Sequence, residues 1–228
     1  MRHHLILDLE TLGTSDNGVI LSVGALLYFP KDESGHPKTQ TSFTKTWKLN
    51  AKEQIQKYNR SVNKDTLDWW KSQGEAAKKV LNPSPNDLTV QEFFSEFYSW
   101  LAEYGYEPSM KSTWLEGTIL QRGTIDHAMI ANLAYDLEGT SENFYKVLSW
   151  KKVRDIRTII DMINTGLYDD ANVYSVPCDE SVRNYTDGQF SSWWKYLDDF
   201  KERENLVSHD AVSDCIIQLQ SLKVLEFC

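Results

Sequence analysis

The stretch His4-Leu-Ile-Leu-Asp-Leu-Glu10 places two acidic residues in an otherwise apolar run near the N-terminus. Its alternation predicts a β-strand in which Ile6, Asp8 and Glu10 share one face. Two carboxylates side by side on a half-buried strand repel each other and lose hydration, so they need a compensating cation. The stretch therefore predicts a strand that carries part of a divalent-metal site.

The composition is that of a soluble globular protein with one domain. The chain has 228 residues, of which 41% are hydrophobic and 25% charged, so it can bury one large core. No apolar run approaches the roughly 20 residues that cross a bilayer, and the N-terminus lacks the pattern of a secretory signal. We expect a single domain over 1–228, with a helical insertion near 62–105 and a variable loop near 168–206.

The cysteines indicate a reducing compartment. Cys178, Cys215 and Cys228 have neither metal-ligand spacing nor a CxxC arrangement. An odd number of cysteines in a chain of this size favours reduced thiols over a disulfide framework. We therefore expect a cytoplasmic protein with no membrane partner, and Cys215 in the core on a helix.

The net charge of −9 argues against bulk electrostatic attraction to nucleic acid. It does not exclude nucleic acid as a substrate, because an acidic metal site would contribute part of that charge. Two local basic clusters either guide phosphates or form a solvated surface. They comprise Lys57, Arg60 and Lys64, and Lys151, Lys152, Arg154 and Arg157.

The pattern along the chain predicts strands first and then strands alternating with helices. Runs at 4–10, 19–29 and 43–49 are rich in strand-forming residues and predict an antiparallel meander. Helices are predicted after the N-cap Asn63 and after a capping box at Thr89. Further strands are predicted at 112–120 and 153–156, and further helices at 126–137, 157–164 and 209–227, the last capped by Ser208. This order predicts an α/β fold with a mixed central sheet covered by helices.

Asp126 and the pair His209 and Asp214 are further candidates for the metal site. Asp126 follows a predicted strand and opens a helix, where an acid either complements the helix dipole or binds a metal. At about 100° per residue, His209 and Asp214 point about 140° apart around a helix, so they do not stack on one face. Either His209 overhangs a site that Asp214 reaches from the second turn, or both are exposed residues of a helix start.

Five segments, in this order, resemble the DEDDh family of 3′–5′ exonucleases, and most of all its phage exodeoxyribonucleases. They are Asp8-Leu-Glu-Thr-Leu-Gly13, Leu67-Asp-Trp-Trp-Lys-Ser-Gln73, Arg122-Gly-Thr-Ile-Asp126, Arg154-Asp-Ile-Arg-Thr158 and Ser208-His-Asp-Ala-Val-Ser-Asp214. The resemblance spans nearly the whole chain and is weakest from Tyr168 to Leu206. It implies a ribonuclease H-like fold, in which an antiparallel meander and parallel strands form one sheet flanked by helices.

The resemblance also implies the chemistry of the site. Asp8, Glu10, Asp126 and Asp214 would hold two divalent metal ions, Mg²⁺ or Mn²⁺. His209 would be the general base, so these five residues are the predicted catalytic set. Hydrolysis would release nucleoside 5′-monophosphates from the 3′ end of a strand.

The predicted substrate is single-stranded DNA bound at its 3′ end, with RNA as the second candidate. Thr11 and Leu12 would contact the terminal nucleotide. Trp69 and Trp70 are candidates for stacking on a base, and one of the two is expected in the core. The sequence carries no signal for oligomeric state.

Three alternatives to this function stay open. The nearest is an RNA-trimming exoribonuclease of the oligoribonuclease or RNase T kind. A non-catalytic nucleic-acid-binding module with the same fold is another, although all five catalytic positions are filled. The last is a metal-dependent phosphohydrolase of small nucleotides. Arg154 and Arg157 either bind phosphate or form structural ion pairs, and His127 receives no catalytic role.

Overall fold

The opening strand lies in the middle of a mixed sheet. The structure is a computed structural model and describes residues 4–29, 42–104, 118–159 and 190–226. The described strands are β1 (His4–Thr11), β2 (Ile20–Tyr28), β3 (Ser42–Lys48), β4 (Thr118–Gln121) and β5 (Val153–Asp155). They lie in the order β3-β2-β1-β4-β5, with β1, β2 and β3 antiparallel and β4 and β5 parallel to β1. The predicted α/β fold with an antiparallel meander is therefore confirmed.

Helices cover both faces of this sheet. The described helices are α1 (Ala51–Tyr58), α2 (Lys64–Ser72), α3 (Glu75–Lys78), α4 (Val90–Glu103), α5 (Asp126–Glu138), α6 (Glu142–Val147), α7 (Phe190–Arg203) and α8 (Ala211–Glu226). Short 3₁₀ turns occupy Lys79–Leu81 and Trp150–Lys152, and residues 156–159 are helical. Two predicted N-caps are confirmed: the side chain of Asn63 caps α2, and Thr89 forms a capping box with Glu92 at α4.

The alternation in β1 sends its apolar side chains into two separate cores. Leu5 and Leu7 are fully buried in the larger core, which contains the aromatic face of α4 and the apolar face of α5. Ile6 is fully buried on the opposite face of the sheet, in a cluster with Cys215 and Leu219 of α8. Burial of apolar surface in these cores is the main favourable contribution to folding. Because Asp8 and Glu10 share a face with Ile6, both acids lie on the side of the sheet that α8 covers.

Gly24 allows α8 to approach the sheet directly opposite Asp8. The two residues are paired between β1 and β2. A Cβ added at Gly24 would lie 2.3 Å from the carbonyl carbon of Ala211, the first residue of α8, so no side chain fits there. The start of α8 is therefore held against the sheet beside Asp8, which brings acids of β1 and α8 together.

The predicted start of the last helix is wrong. Helix α8 begins at Ala211 rather than His209, because His209 has a φ of 62°, which is a left-handed conformation. Asp210 replaces Ser208 as the cap, since its Oδ2 accepts a hydrogen bond from the backbone N–H of Ser213 at 3.0 Å.

The predicted variable loop near 168–206 is wrong over its last part. Helix α7 lies there, with Leu197 buried and the Tyr196 hydroxyl hydrogen-bonded to Gln220 of α8. Its apolar residues Trp193, Leu197 and Phe200 recur at helical spacing, so the sequence carried a usable local signal for this helix. Helix α1 was also not predicted; its N-cap is Asn50, whose side chain accepts from the Glu53 backbone N–H.

Some predictions concern residues outside the described part of the chain. They are the first part of the strand at 112–120, the helix at 160–164, the loop at 168–189, and Cys178 and Cys228. The single-domain organisation stays a prediction. Cys215 is buried on a helix, as predicted. Among the described helices, none combines the length and the apolar character that crossing a bilayer requires.

Arg60 is an internal structural residue. Its guanidinium donates to the carbonyl oxygen of Gly18 at 2.7 and 3.0 Å and to a carboxylate oxygen of Asp136 at 2.7 Å. The side chain is fully buried, so these bonds tie the loop after β1 to α5. Arg60 therefore does not belong to a phosphate-guiding surface, whereas Lys57 and Lys64 are exposed.

Candidate active site

A cleft of about 740 Å³ opens beside the C-terminal end of β1, between α2 and the start of α8. Acidic, basic and aromatic side chains line it together. The lining includes Asp8, Glu10, Trp69, His209, Asp214 and Gln218. This mixture suits a metal ion together with an anionic ligand better than it suits an apolar molecule.

The acids of β1 reach the cleft because of the strand register. Asp8 pairs with Gly24 and Glu10 pairs with Ser22, and the register shifts between Glu10 and Thr11. Such an irregularity bends the strand and redirects the chain that follows. The sheet therefore presents Asp8 and Glu10 on the α8 side and then turns away from the site.

His209 and Asp214 are brought to Glu10 by the turn that precedes α8. The left-handed backbone of His209 directs its N–H to Oδ2 of Asp214, at 3.1 Å. Side-chain ligand atoms of Glu10, His209 and Asp214 all lie within 4.8 Å of one another. The predicted overhang of His209 above the site of Asp214 is thus seen, although His209 reaches it from a turn rather than from the helix.

Asp126 is the first residue of α5 and is only 7% exposed. Two side chains order the turn that leads to it: Asp155 Oδ1 accepts from the Gly123 backbone N–H at 2.8 Å, and Gln121 accepts from the His127 backbone N–H at 2.8 Å. Gly123 has a φ of 102°, a conformation that favours glycine. Asp126 is therefore held beside β1, where its charge acts on both Asp8 and Glu10.

Burial raises the pKa values of the four acids. It is the largest cause at each of them, and repulsion from the other carboxylates adds to it at Asp8 and Glu10. The pKa of Asp8 lies well above its ordinary value, that of Glu10 is raised to about 8, and that of Asp126 to about 7. The pKa of Asp214 is raised by burial, while the charges of His209 and Lys201 oppose the shift.

This donor set fits a hard divalent cation. Carboxylate oxygens are the ligands that Mg²⁺ and Mn²⁺ prefer. A bound cation would favour the ionised acids and so reverse the raised pKa values. The residues present therefore fit the predicted divalent-metal cofactor, and the number of ions stays a prediction.

The two adjacent tryptophans have different environments. Trp70 is 1% exposed, and its indole N–H donates to the carbonyl oxygen of Thr11 at 2.9 Å. Trp69 is 42% exposed and lies edge-on to the His209 ring, with ring centroids 4.8 Å apart. Both rings line the cleft, so contact of each with substrate stays a prediction, and Trp69 has the more exposed face.

Thr11, at the end of β1, and Leu12, which follows it, also have different environments. Leu12 packs in a core cluster with Val19 and Trp70, and its contact with a terminal nucleotide stays a prediction. Thr11 lines the cleft, and its hydroxyl donates to the carbonyl oxygen of Gly13 at 2.7 Å. Contact of Thr11 with substrate stays a prediction.

Three basic side chains line the cleft beside the acids. They are Arg122, Arg157 and Lys201. Among the described residues, neither Arg122 nor Arg157 forms a salt bridge, whereas Arg60 and Arg203 do. Arg154 instead donates to the carbonyl oxygens of Lys151 and Val153. Arg157 lines the cleft and Arg154 does not, and phosphate binding by Arg157 stays a prediction.

Sequence reasoning missed Lys201 and Gln218. Lys201 lies on α7, which was not predicted although its apolar residues recur at helical spacing. Gln218 follows Asp214 by four residues on α8, which places both on one helix face, and this spacing was a usable signal. His127 is structural as expected, since its ring is buried and hydrogen-bonds the Leu148 carbonyl oxygen at 2.7 Å.

Comparisons with known proteins point to exonucleases. A family model described as a 3′–5′ exoribonuclease Rv2179c-like domain matches residues 3–184. An exodeoxyribonuclease of Enterobacteria phage T4 is 24% identical over 171 residues, which are 69% of this chain and 70% of that protein.

Solved structures share the fold at low sequence identity. A 3′-exonuclease that recognises the 3′ end of the histone mRNA stem-loop has a TM-score of 0.51 and 12% identity. That match covers 99% of this chain and 64% of the solved chain, so this chain spans less than two thirds of its length. The nuclease domain of 3′hExo, a DEDDh family member bound to rAMP, has a TM-score of 0.48 and 13% identity, covering 99% and 93%. The first of these matches shows that the chain shares its fold with that 3′-exonuclease.

Proposed function

The chain belongs to the family of 3′–5′ exoribonuclease Rv2179c-like domains and is a DEDDh-type exonuclease, and we propose that the cleft is its active site. One observation carries this proposal. Glu10 of the central strand, His209 and Asp214 come together within 4.8 Å although up to 204 positions separate them in the chain. A cluster of acids formed by chance on the surface would not require a glycine in the interior. This one depends on Gly24, which lets α8 approach the sheet.

The proposed metal ligands are Asp8, Glu10, Asp126 and Asp214, and the proposed cofactor is two Mg²⁺ or Mn²⁺ ions. When bound, such ions lower the pKa of water and offset the negative charge that develops on the phosphate. The buried acids repel one another, which costs free energy when no cation is bound. Binding a cation therefore relieves this electrostatic cost.

His209 is the proposed general base. Its imidazole accepts the proton of the attacking water, since a neutral imidazole nitrogen can act as a proton acceptor. The water oxygen attacks the phosphorus of the terminal phosphodiester, and the bond from phosphorus to the 3′ oxygen of the preceding nucleotide breaks. The products are a nucleoside 5′-monophosphate and a strand shortened by one residue, with a free 3′ hydroxyl.

The proposed substrate is the 3′ end of single-stranded DNA. The phage T4 relative, an exodeoxyribonuclease matched over 69% of the chain, supports DNA. Arg122, Arg157 and Lys201 supply positive charge for phosphates beside the acids, and the exposed ring of Trp69 offers a surface for a base. These local positive charges offset the repulsion that the net charge of −9 exerts on the phosphates of a nucleic acid.

RNA is the second candidate substrate. The matching family is described as one of exoribonucleases, which favours RNA trimming. Side chains with hydroxyl groups, Thr14 and Thr66, line the cleft and would be able to hydrogen-bond a 2′-OH.

Matched DNA and RNA oligomers of one sequence test this proposal. With Mn²⁺ and a 5′ label, we expect stepwise shortening from the 3′ end of the DNA, at a kcat/KM at least about tenfold above that for RNA. Asp8→Asn should remove the activity on both polymers and thereby exclude a contaminating nuclease. Faster cleavage of RNA would reverse the substrate assignment, and binding without cleavage would favour a non-catalytic module.

A further inference from the structure

Gln218 connects α8 to the acid at the centre of the cleft. Its Nε2 donates a hydrogen bond to Oδ1 of Asp8 at 2.8 Å. The side chain lines the cleft and is only 5% exposed. Gln218 follows Asp214 by four residues on α8. One face of this helix therefore carries the proposed metal ligand Asp214 together with Gln218, which hydrogen-bonds the proposed ligand Asp8.

The chemistry of Asp8 fixes the orientation of the Gln218 amide. A bound cation favours the ionised Asp8 carboxylate, which only accepts hydrogen bonds, so the NH₂ group of the amide then faces it. The carbonyl oxygen, Oε1, then points elsewhere. It is buried and has no hydrogen-bond partner among the described residues. A buried carbonyl group without a partner is costly, and native proteins rarely leave one unmet.

We infer that Gln218 is a positioning residue of the metal site, an inference that rests on the proposed metal-dependent function. Its Nε2–H holds one oxygen of Asp8 and leaves the other for a cation. Its Oε1 accepts a hydrogen bond from a water molecule in the hydration shell of that cation. A bound, hydrated cation thereby supplies the partner that Oε1 lacks.

The amide suits this task better than a charged group would. A glutamate at position 218 would add another carboxylate to four that already repel one another. A lysine would compete with the cation for Asp8. The neutral amide orients Asp8 by a donor and offers an acceptor to water, without changing the charge of the site.

Replacing Gln218 by an apolar residue of similar length tests the inference. We expect Gln218→Met to raise the Kd for Mn²⁺ at least about tenfold, as loss of a residue that orients a metal ligand usually does. The Kd is measured by isothermal titration calorimetry on the full, metal-free chain, so no substrate is needed. Gln218→Asn, which keeps the amide but shortens the side chain, should show a similar loss if the methionine variant fails to fold.

Gln220→Met is the matched control on the same helix. Gln220 hydrogen-bonds Tyr196 and does not line the cleft, so its substitution should leave the Kd for Mn²⁺ within about twofold of wild type. A folded Gln218→Met variant with the wild-type Kd would overturn the inference, as would an equal loss in Gln220→Met. Wild-type protein that binds Mn²⁺ but cleaves no nucleic acid would overturn the proposed function alone.

Discussion

The backbone N–H of His209 donates to Oδ2 of Asp214 at 3.1 Å, so the proposed base and a proposed metal ligand are joined by one hydrogen bond. This bond requires the left-handed backbone of His209, with a φ of 62°. The imidazole is held in addition by Trp69, whose ring meets it edge-on at 4.8 Å. Backbone geometry and an aromatic contact therefore fix the base beside the acids before any substrate arrives.

Stability of the metal-free protein should fall as the pH rises. Without a cation, the pKa of Glu10 is about 8 and that of Asp126 about 7, whereas an unfolded chain ionises such groups near pH 4. The folded state therefore holds protons that the unfolded state has released, and the free energy of unfolding decreases between about pH 4 and pH 8. Melting temperatures in EDTA across this range measure the effect.

A neutral substitution at Glu10 should reduce this pH dependence, and a bound cation should oppose it. Glu10→Gln should raise the melting temperature in EDTA at pH 8, by roughly 2–4 °C for each kcal/mol recovered in a chain of this size. Mn²⁺ should do the same for wild type. Asp68→Asn, at an exposed acid paired with Lys71, serves as the control and should keep the wild-type slope. A lower melting temperature for Glu10→Gln would contradict the proposed repulsion.

Gly24→Ala should move Asp214 of α8 away from Asp8 and Glu10 of β1. The added methyl group would lie 2.3 Å from a backbone atom of Ala211, so α8 must move away from the sheet. Overpacking of this kind costs about 1–3 kcal/mol, and displacement of Asp214 should lower kcat far more than stability alone explains. Urea unfolding and single-turnover rates measure both effects.

Gly74→Ala is the matched control for this substitution. Nothing lies within 4 Å of a Cβ at Gly74, and its φ is −66°, so alanine fits there without strain. Its stability and activity should match those of wild type. Equal behaviour of the two alanine variants would show that the close approach at Gly24 does not matter.

The two tryptophans should respond oppositely to truncation. Trp70→Ala removes a fully buried ring and should cost about 3–5 kcal/mol of folding free energy. Trp69→Ala should unfold like wild type within about 1 kcal/mol and instead raise KM for a DNA oligomer, since stacking on a base is worth about 1–3 kcal/mol. An unchanged KM in Trp69→Ala would remove Trp69 from the substrate site.

Arg157→Gln should weaken binding of the strand, because the variant no longer neutralises a phosphate. We expect a higher KM, little change in kcat at saturating Mn²⁺, and a slope of log KM against log salt concentration that is smaller by about 0.7 for that one phosphate. Arg203→Gln is the control, because Arg203 is exposed, pairs with Glu204 and does not line the cleft. Identical salt dependence in both variants would show that Arg157 touches no phosphate.

The local parts of the site were predictable from the sequence, because they depend on short-range rules. Alternation alone places Asp8 and Glu10 on one face of a strand, and a capping box alone starts α4. The approach of α8 at Gly24 depends on packing between residues nearly 190 positions apart in the chain, so no local pattern contains it.

Other features of the site also depend on the path of the backbone and on packing between distant parts of the chain. The burial of Leu12 against Trp70 follows the register shift after Glu10, which no local pattern contains. His209 was predicted within a helix, since a left-handed residue has no helical signature of its own. Lys201 reaches the cleft only because α7 packs on α8.

The most direct test of the central claim compares His209→Ala with wild type on a 5′-labelled single-stranded DNA oligomer, with Mn²⁺ affinity measured on the same samples. Loss of a general base should reduce the single-turnover rate of 3′-terminal cleavage at least about 100-fold. The Kd for Mn²⁺ should stay within about threefold, because the acids rather than the imidazole hold the metal. Cleavage at the wild-type rate would contradict the assignment of His209 as base, and loss of Mn²⁺ binding would make His209 a metal ligand instead.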